Sequence, residues 1–269
     1  MPSNQTKFLD NIQDIIDDEI SLYKQDRSIT ECNHIPSTTS IPIENKQNWI
    51  KIQGVICVYV DMIGSTLLSA EKQPKTCAKL YHFFSDTITR IFHEFDAPYI
   101  DIQGDGVFAL FNSDQLYRSL ASAVTVKTII ETYFEPEVKN MQRYGAQIGI
   151  DQGTLLVRKI GLKFKDRSDR QNELWAGKPV NMAVKLSAKA ARGEMIVSDR
   201  YFNKLANDLV LKSCGCNNNI HNGPKENLWT EIDVTFDDML DFDKAYLLKS
   251  IWCPMHGKKY CSDIIALDR

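Results

Sequence analysis

No apolar run in this chain of 269 residues approaches the roughly 20 residues that a helix needs to span a bilayer. Charge of one sign is also not in excess. The 32 basic and 35 acidic side chains leave −3, which argues against a nucleic-acid or membrane surface as partner. The N-terminal stretch MPSNQTKFLDNIQDIIDDEI is acidic and has no signal-peptide core, so the expected location is the cytoplasm. The seven cysteines are an odd number and do not make a closed disulfide set. In a reducing compartment they would be free thiols or metal ligands. No internal repeat is visible. What remains, 43% apolar and 25% charged residues, is ordinary for a soluble globular protein. The length suits one sizeable domain, or one domain with appendages.

Residues 6–24 predict a helix. Phe8, Ile12, Ile15, Ile16, Ile20 and Leu22 fall near helical spacing with acids between them. It is either a docking or dimerisation element or a surface helix packed on the body. The polar stretch ECNHIPSTTSIPIENKQ, with its two prolines, predicts a linker. A buried strand is expected over 52–60. Leu80, Phe84, Ile88, Ile91 and Phe95 then step by three or four, as in an amphipathic helix. APYIDIQGDGVFALF predicts two strands around Gly104-Asp105-Gly106. Leu116, Leu120, Ala123 and Ile130 mark another helix. GAQIGIDQGTLLVRKIG predicts a strand, a turn at Gln152-Gly153 and a second strand. Pro179 can open a helix running to about Arg192, and Ser198 can cap a short helix after the strand GEMIVS.

Strand, helix, strand, strand, helix, strand is an α+β order. It predicts a ferredoxin-like βαββαβ unit, with helices layered on a mostly antiparallel sheet. The expected division is an N-terminal helix and linker over 1–49, the main domain over 50–206, and a less regular C-terminal extension over 207–269.

The apolar run GVICVYV ends on Asp61, at the start of the small-residue turn MIGST. In this topology the first strand's end lies beside the central hairpin, so Asp61 and Asp105 can meet in space. Two unrelated turn aspartates would also give this pattern. A pair of carboxylates at one spot, however, repels unless a cation bridges it. Mg²⁺ or Mn²⁺ is the natural bridge, since it takes one or two carboxylates together with phosphate oxygens. Two such ions can clamp an attacking and a leaving oxygen. Gly64, Ser65 and Thr66 offer amides and hydroxyls near a helix start, which suits a phosphate.

Four segments, YVDMIGST, DIQGDGVFALF, IGIDQG and WAGKPVNMA, occur in order and spacing similar to the class III nucleotidyl cyclases. The resemblance covers about residues 50–200. It implies a class III cyclase catalytic domain working as a homodimer, with two active sites at the interface. It also implies two metal ions, Mg²⁺ or Mn²⁺, and in-line attack of a ribose 3′-hydroxyl on the α-phosphate, releasing pyrophosphate. Carried over, Asp61 and Asp105 would bind the metals, with the Met62 carbonyl as a further ligand, and Asn181 would orient the ribose. The Gly-Gly-Asp/Glu-Glu-Phe hairpin of diguanylate cyclases is absent.

Departures from the family pattern bear on the base. The first base-reading position, Lys in adenylate and Glu in guanylate cyclases, is Asp101. The second is Leu174, with Glu173 adjacent, so neither purine code is intact. Tyr59 stands where Phe or Leu is usual and should share the inward face with Asp61. A phenol there narrows the pocket and adds a hydrogen-bonding group, favouring a smaller base. This combination is similar to the pyrimidine cyclases of the bacterial Pycsar antiphage systems, which make cyclic UMP or cyclic CMP from UTP or CTP to activate a separate effector. The family's transition-state Arg is Lys185, a point charge rather than a bidentate fork, with Lys189 and Arg192 further along the same helix. An ordinary guanylate or adenylate cyclase remains an alternative, as does a catalytically weak nucleotide-binding sensor.

Cys214-Gly-Cys216 and Cys253-x-x-His256, with Cys261 nearby, offer enough ligands for a tetrahedral structural Zn²⁺ site. Reduced thiols without metal are the alternative.

Overall fold

The computed structural model describes residues 4–41, 48–137, 144–161, 171–216, 221 and 223–268. In chain order the elements are α1 (Asn4–Tyr23), β1 (Ser28–Cys32), β2 (Asn48–Ile63), α2 (Ser65–Glu71), α3 (Pro74–Glu94), β3 (Tyr99–Gln103) and β4 (Gly106–Phe111). Next come α4 (Leu116–Ile129), which runs through a π-helical turn into α5 (Glu135–Glu137), then β5 (Gly145–Gly161), β6 (Gln171–Gly177) and α6 (Lys178–Lys189). The chain continues as β7 (Glu194–Ser198), α7 (Asp199–Phe202), α8 (Asp208–Leu211), β8 (Trp229–Asp233), β9 (Lys244–Leu248) and α9 (Gly257–Ile265).

The nine strands among the described residues form one sheet, ordered β3-β4-β2-β5-β7-β9-β8, with β1 beside β2 and β6 beside β5. Its centre, β3-β4-β2-β5 with α3 and α4, is the βαββαβ unit of a ferredoxin-like fold. Strand pleating divides β2 between two environments. Ile56, Val58, Val60 and Met62 face a core shared with Phe84, Ile88 and Phe92 of α3 and Leu120, Ala123 and Val126 of α4. Cys57 points into a second core with Phe108, Leu110, Leu155, Val157 and Trp175, and Tyr59 packs against it. Asp61 lies two residues further along this second face.

The structure changes three of the sequence expectations. First, β5 is a single strand of 17 residues with no turn at Gln152-Gly153. The irregularity lies on its partner instead: the β2–β5 register shifts between Ile52 and Val55, and Gly54 there has φ +70°. Gln152 Nε2 donates to Gly54 O at 2.8 Å and holds the shifted segment. Second, the expected linker begins inside β1: Glu31 and Cys32 are the last residues of this strand, which pairs in parallel with β2 from Ser28↔Asn48 to Cys32↔Ile52. Ile35 and Ile41 of that stretch are buried in the second core. Its remainder, 42–47, lies outside the described residues. Third, the stretch after 206 supplies the far edge of the sheet, since β9 pairs antiparallel with β7 and β8 with β9.

Ser198 does cap α7, accepting from the Tyr201 amide at 3.3 Å. The apolar stripe of α1 is solvent-facing: Ile12, Ile15, Ile16 and Ile20 are all exposed, while the Phe8 side chain lies outside the described ones. Among the described residues no helix is long and apolar enough to cross a membrane.

Candidate active site

Asp61 sits near the end of β2, and Asp105 sits between Gln103 and Gly106, at the turn joining β3 and β4. Gly104 makes that turn possible with φ +66°. The β2–β4 ladder, Val60↔Val107 to Ile56↔Phe111, brings the two acids to the same end of the sheet. Burial of Asp61, together with the charge of Asp105, pushes its carboxyl above the ordinary range. A bond from Gln147 Nε2 to Asp61 Oδ2 at 2.8 Å acts in the opposite direction. Gln147 lies directly across the ladder from Asp61. The motif did not reveal it; only the strand register does.

Tyr59 belongs to this corner. A Cβ placed on Gly106 would lie 2.2 Å from the Tyr59 hydroxyl, so the phenol occupies the space that this glycine leaves open. The Tyr59 pKa is pushed up to about 12, by burial first and then by the charges of Asp61 and Asp105. The hydroxyl therefore keeps its proton and serves as a donor near neutral pH. Beyond the acids, Gly64 turns the chain with φ 84° so that Ser65 and Thr66 open α2. The turn is closed by the Leu68 amide on Gly64 O at 2.9 Å.

The two base-reading positions lie on β3 and β6. Asp101 accepts from the Ile102 amide at 2.9 Å. Tyr99, on the same face of β3 as Asp101, packs with its ring tilted at 47° against Trp175 of β6, the centroids 4.6 Å apart. The Tyr99 pKa is pushed up to about 12 by burial, with Asp101 and Glu173 adding to it. Glu173 and Trp175 thus share the side of β6 that meets β3. Leu174 points to the opposite side and is 41% exposed.

The fourth component is α6. It lies so close on β5 that a Cβ at Gly149 would be 1.9 Å from Ala183 O. Pro179, Met182, Ala183, Leu186 and Ser187 form its buried face. Lys178, Asn181, Lys185 and Lys189, spaced by three or four, lie on the outward face. Lys185 is engaged within the chain, donating to Met239 O at 2.5 Å. Lys189 pairs with Asp237, and Lys178 with Asp241 at 2.6 Å. These acceptors belong to the loop between β8 and β9. Arg200 ties that loop to the sheet, contacting Asp241 at 3.1 Å and the fully buried Asp151 at 2.5 Å. In the sequence this loop shows only as the acid-rich run DDMLDFD; its pairing with the lysines of α6 is a tertiary contact.

Sequence comparison matches residues 49–226 to the Adenylate and Guanylate cyclase catalytic domain family. The chain belongs to this family. It is a nucleotidyl cyclase: its substrate is a nucleotide, and enzymes of this kind use divalent metal ions. A uridylate cyclase of Propioniciclava tarda is 36% identical over 233 residues, covering 84% of this cyclase and 73% of the relative. A uridylate cyclase of Micromonospora echinofusca is 30% identical over 246 residues, covering 88% and 77%. Among solved structures, the adenylyl cyclase CyaB from P. aeruginosa shares the fold with a TM-score of 0.57 at 16% identity, over 74% of this cyclase and 95% of that chain.

The residues present fit a divalent cation. Asp61 and Asp105 offer hard carboxylate oxygens, the donors that Mg²⁺ and Mn²⁺ take. Burial first, and then the charge of Asp105, raise the Asp61 pKa, and such a cation would relieve both. A separate group, Cys214, Cys216, Cys253 and His256, also comes together, with ligand atoms all within 4.8 Å of one another. Cys261 is not part of it.

Proposed function

We propose that this cyclase is a pyrimidine nucleotide cyclase, converting UTP to 3′,5′-cyclic UMP and pyrophosphate, with CTP as second candidate. Tyr59 carries the reading. Its phenol is seated against Gly106 beside both acids, where it takes up room and presents a donor. A one-ring base with carbonyl acceptors suits that space better than a purine. The likeness to two uridylate cyclases over most of the chain supports the same conclusion.

In this reading Asp61 and Asp105, with the Met62 carbonyl, hold two divalent ions, Mg²⁺ or Mn²⁺. When bound, those ions supply charge neutralisation and a more acidic ribose 3′-hydroxyl. Gln147 keeps the Asp61 carboxylate aimed. Asn181 orients the ribose, and Lys185 neutralises triphosphate charge once it leaves Met239 O. Gly64, Ser65 and Thr66 face the phosphates, while Asp101 and Leu174 stand at the base-reading positions. The 3′-oxygen bonds to the α-phosphorus as the bond to pyrophosphate breaks, and the hydroxyl proton passes to solvent. Positioning and charge dominate such a transfer.

Asn181 and Lys185 face outward from the sheet that carries the acids. One chain's α6 is therefore proposed to complete the site of a second copy, giving a homodimer with two interface sites. Residues 50–206 carry the groups of the site; 207–269 extend the same sheet. The resemblance to antiphage pyrimidine cyclases supports a cytoplasmic second-messenger role, with the product acting on a separate effector and with neither nucleic acid nor membrane as partner.

The test is to supply ATP, GTP, CTP and UTP together with Mn²⁺ and identify the products by mass spectrometry, for the wild type and for Tyr59→Ala. Cyclic UMP or cyclic CMP should dominate, and the substitution should erode that preference. Dominant cyclic GMP would favour the purine reading through Asp101. No product from any nucleotide would favour the sensor.

A further inference from the structure

We propose that Cys214, Cys216, Cys253 and His256 bind one Zn²⁺ as a structural clamp, remote in role from the catalytic ions. Three thiols and one imidazole whose donor atoms all lie within 4.8 Å need little movement to form a tetrahedron. Zinc with sulfur ligands at about 2.3 Å requires donor separations of roughly 3.5–3.8 Å. Cys216 Sγ lies 3.2 Å and Cys253 Sγ 3.9 Å from His256 Nδ1, on either side of that range. Nδ1 is thus the ligating nitrogen. Soft thiolates with an imidazole select Zn²⁺ over Mg²⁺ or Mn²⁺.

The backbone that presents these groups is built for it. Gly215, between the first two cysteines, has φ +80°. A Cβ there would lie 2.1 Å from Gly223 O, so no other residue fits this turn. The turn is closed by the Gly223 amide on Gly215 O at 2.7 Å and the Ser213 amide on Glu226 O at 2.8 Å. On the other side, the Gly257 amide on Cys253 O at 2.7 Å brings Cys253 and His256 together at the start of α9. His221 Nδ1, 3.7 Å from Cys216 Sγ, stands at the edge of the cluster as an exposed outer residue.

The clamp would join segments that are far apart in sequence. One is the turn after α8; the other leads into α9. The second is itself fastened to α4: Trp252 donates to Thr128 Oγ1 at 3.0 Å and to Thr125 Oγ1 at 2.8 Å. Asp268 accepts from the Tyr117 and Arg118 amides at the head of α4, at 2.7 and 2.6 Å. A cavity of about 590 Å³ lies between these parts, with Leu209, Trp229, Trp252 and Tyr260 among its walls and the cluster at its edge. Among the described residues no backbone hydrogen bond joins 212–216 to 250–257, so a metal that joins both sides contributes stability directly.

The test uses the full chain purified under reducing conditions from zinc-supplemented cells. Elemental analysis should find one zinc per chain, retained in Asp61→Ala and in Cys32→Ser and lost in Cys253→Ser and His256→Ala. Should those two variants fail to fold, wild-type protein stripped by chelator and reloaded with Co²⁺ decides the matter. Thiolate-to-cobalt charge-transfer and tetrahedral ligand-field bands should appear. Stripping should lower Tm by at least about 5 °C, reversibly on adding Zn²⁺. A chain that carries no zinc and shows no cobalt–thiolate bands would overturn the proposal. Full zinc content in both ligand variants would overturn the ligand set.

Discussion

The strand-end corner and the outward face of α6 solve opposite electrostatic problems. At the corner, Asp61 and Asp105 are brought together with no cationic side chain among the described residues bonded to Asp61, and burial raises the Asp61 pKa. On α6, three lysines line one face, and the chain's own loop already answers them through Asp237, Met239 and Asp241. The first half holds a repulsion that, in the proposed reading, a divalent cation would relieve. The second is satisfied in advance, so in the proposed reading a triphosphate would have to displace the loop's acceptors to reach it. The lesson is that the two halves of a nucleotide site need not be equally poised. Rigid strands can hold a repulsive pair in place, whereas a helix surface exposed to solvent recruits its counter-charges from a neighbouring loop.

Removing either carboxylate should have the largest effect. Asp61→Ala or Asp105→Ala should lower kcat by about 10³-fold or more while leaving the thermal transition nearly unchanged. Full Mn²⁺-dependent turnover in either variant would remove the corner from the comparison altogether. Next is the strut behind the loop. Arg200→Ala leaves Asp151, fully buried, without its guanidinium partner and should cost about 3 kcal/mol of stability, read by denaturant titration. A loss under about 1 kcal/mol would mean that water or Ser198 satisfies Asp151 instead. The smallest effect should come from loosening the loop itself. Asp237→Asn frees Lys189 and should lower KM for the nucleotide by roughly two- to fivefold, the scale of one surface ion pair. An increase in KM would show that the loop helps to bind substrate rather than competing with it.

Much of the corner was legible in the sequence because it is local. A buried apolar run that ends on Asp61, and a glycine-flanked Asp105, announce themselves within a few residues. The period-two pattern correctly placed Tyr59 on the face of Asp61. What escaped was set by register and by distant pairing. Gln147 meets Asp61 only because the β2–β5 ladder is in that register. The Gln152-Gly153 pair reads as a turn, yet the strand continues through it, because the bulge falls on β2 at Gly54. The polar, proline-bearing stretch before β2 reads as a linker, yet pairing of Glu31 and Cys32 with the start of β2 and burial of Ile35 and Ile41 override its composition. The acidic loop over α6 was visible only as a charge run, with nothing local to say what it would face.

The claim on which the site depends is that one nucleotide is held by the corner of one chain and the α6 face of another. Complementation tests it directly. Asp61→Ala and Asn181→Ala, each inert alone, are mixed under conditions in which subunits exchange, and cyclase activity is measured. Mixed dimers should contain one intact site, so activity should return to roughly a quarter of the wild-type level. A mixture as inactive as its parts, with exchange verified by native mass spectrometry, would contradict the shared site and confine the chemistry to single chains.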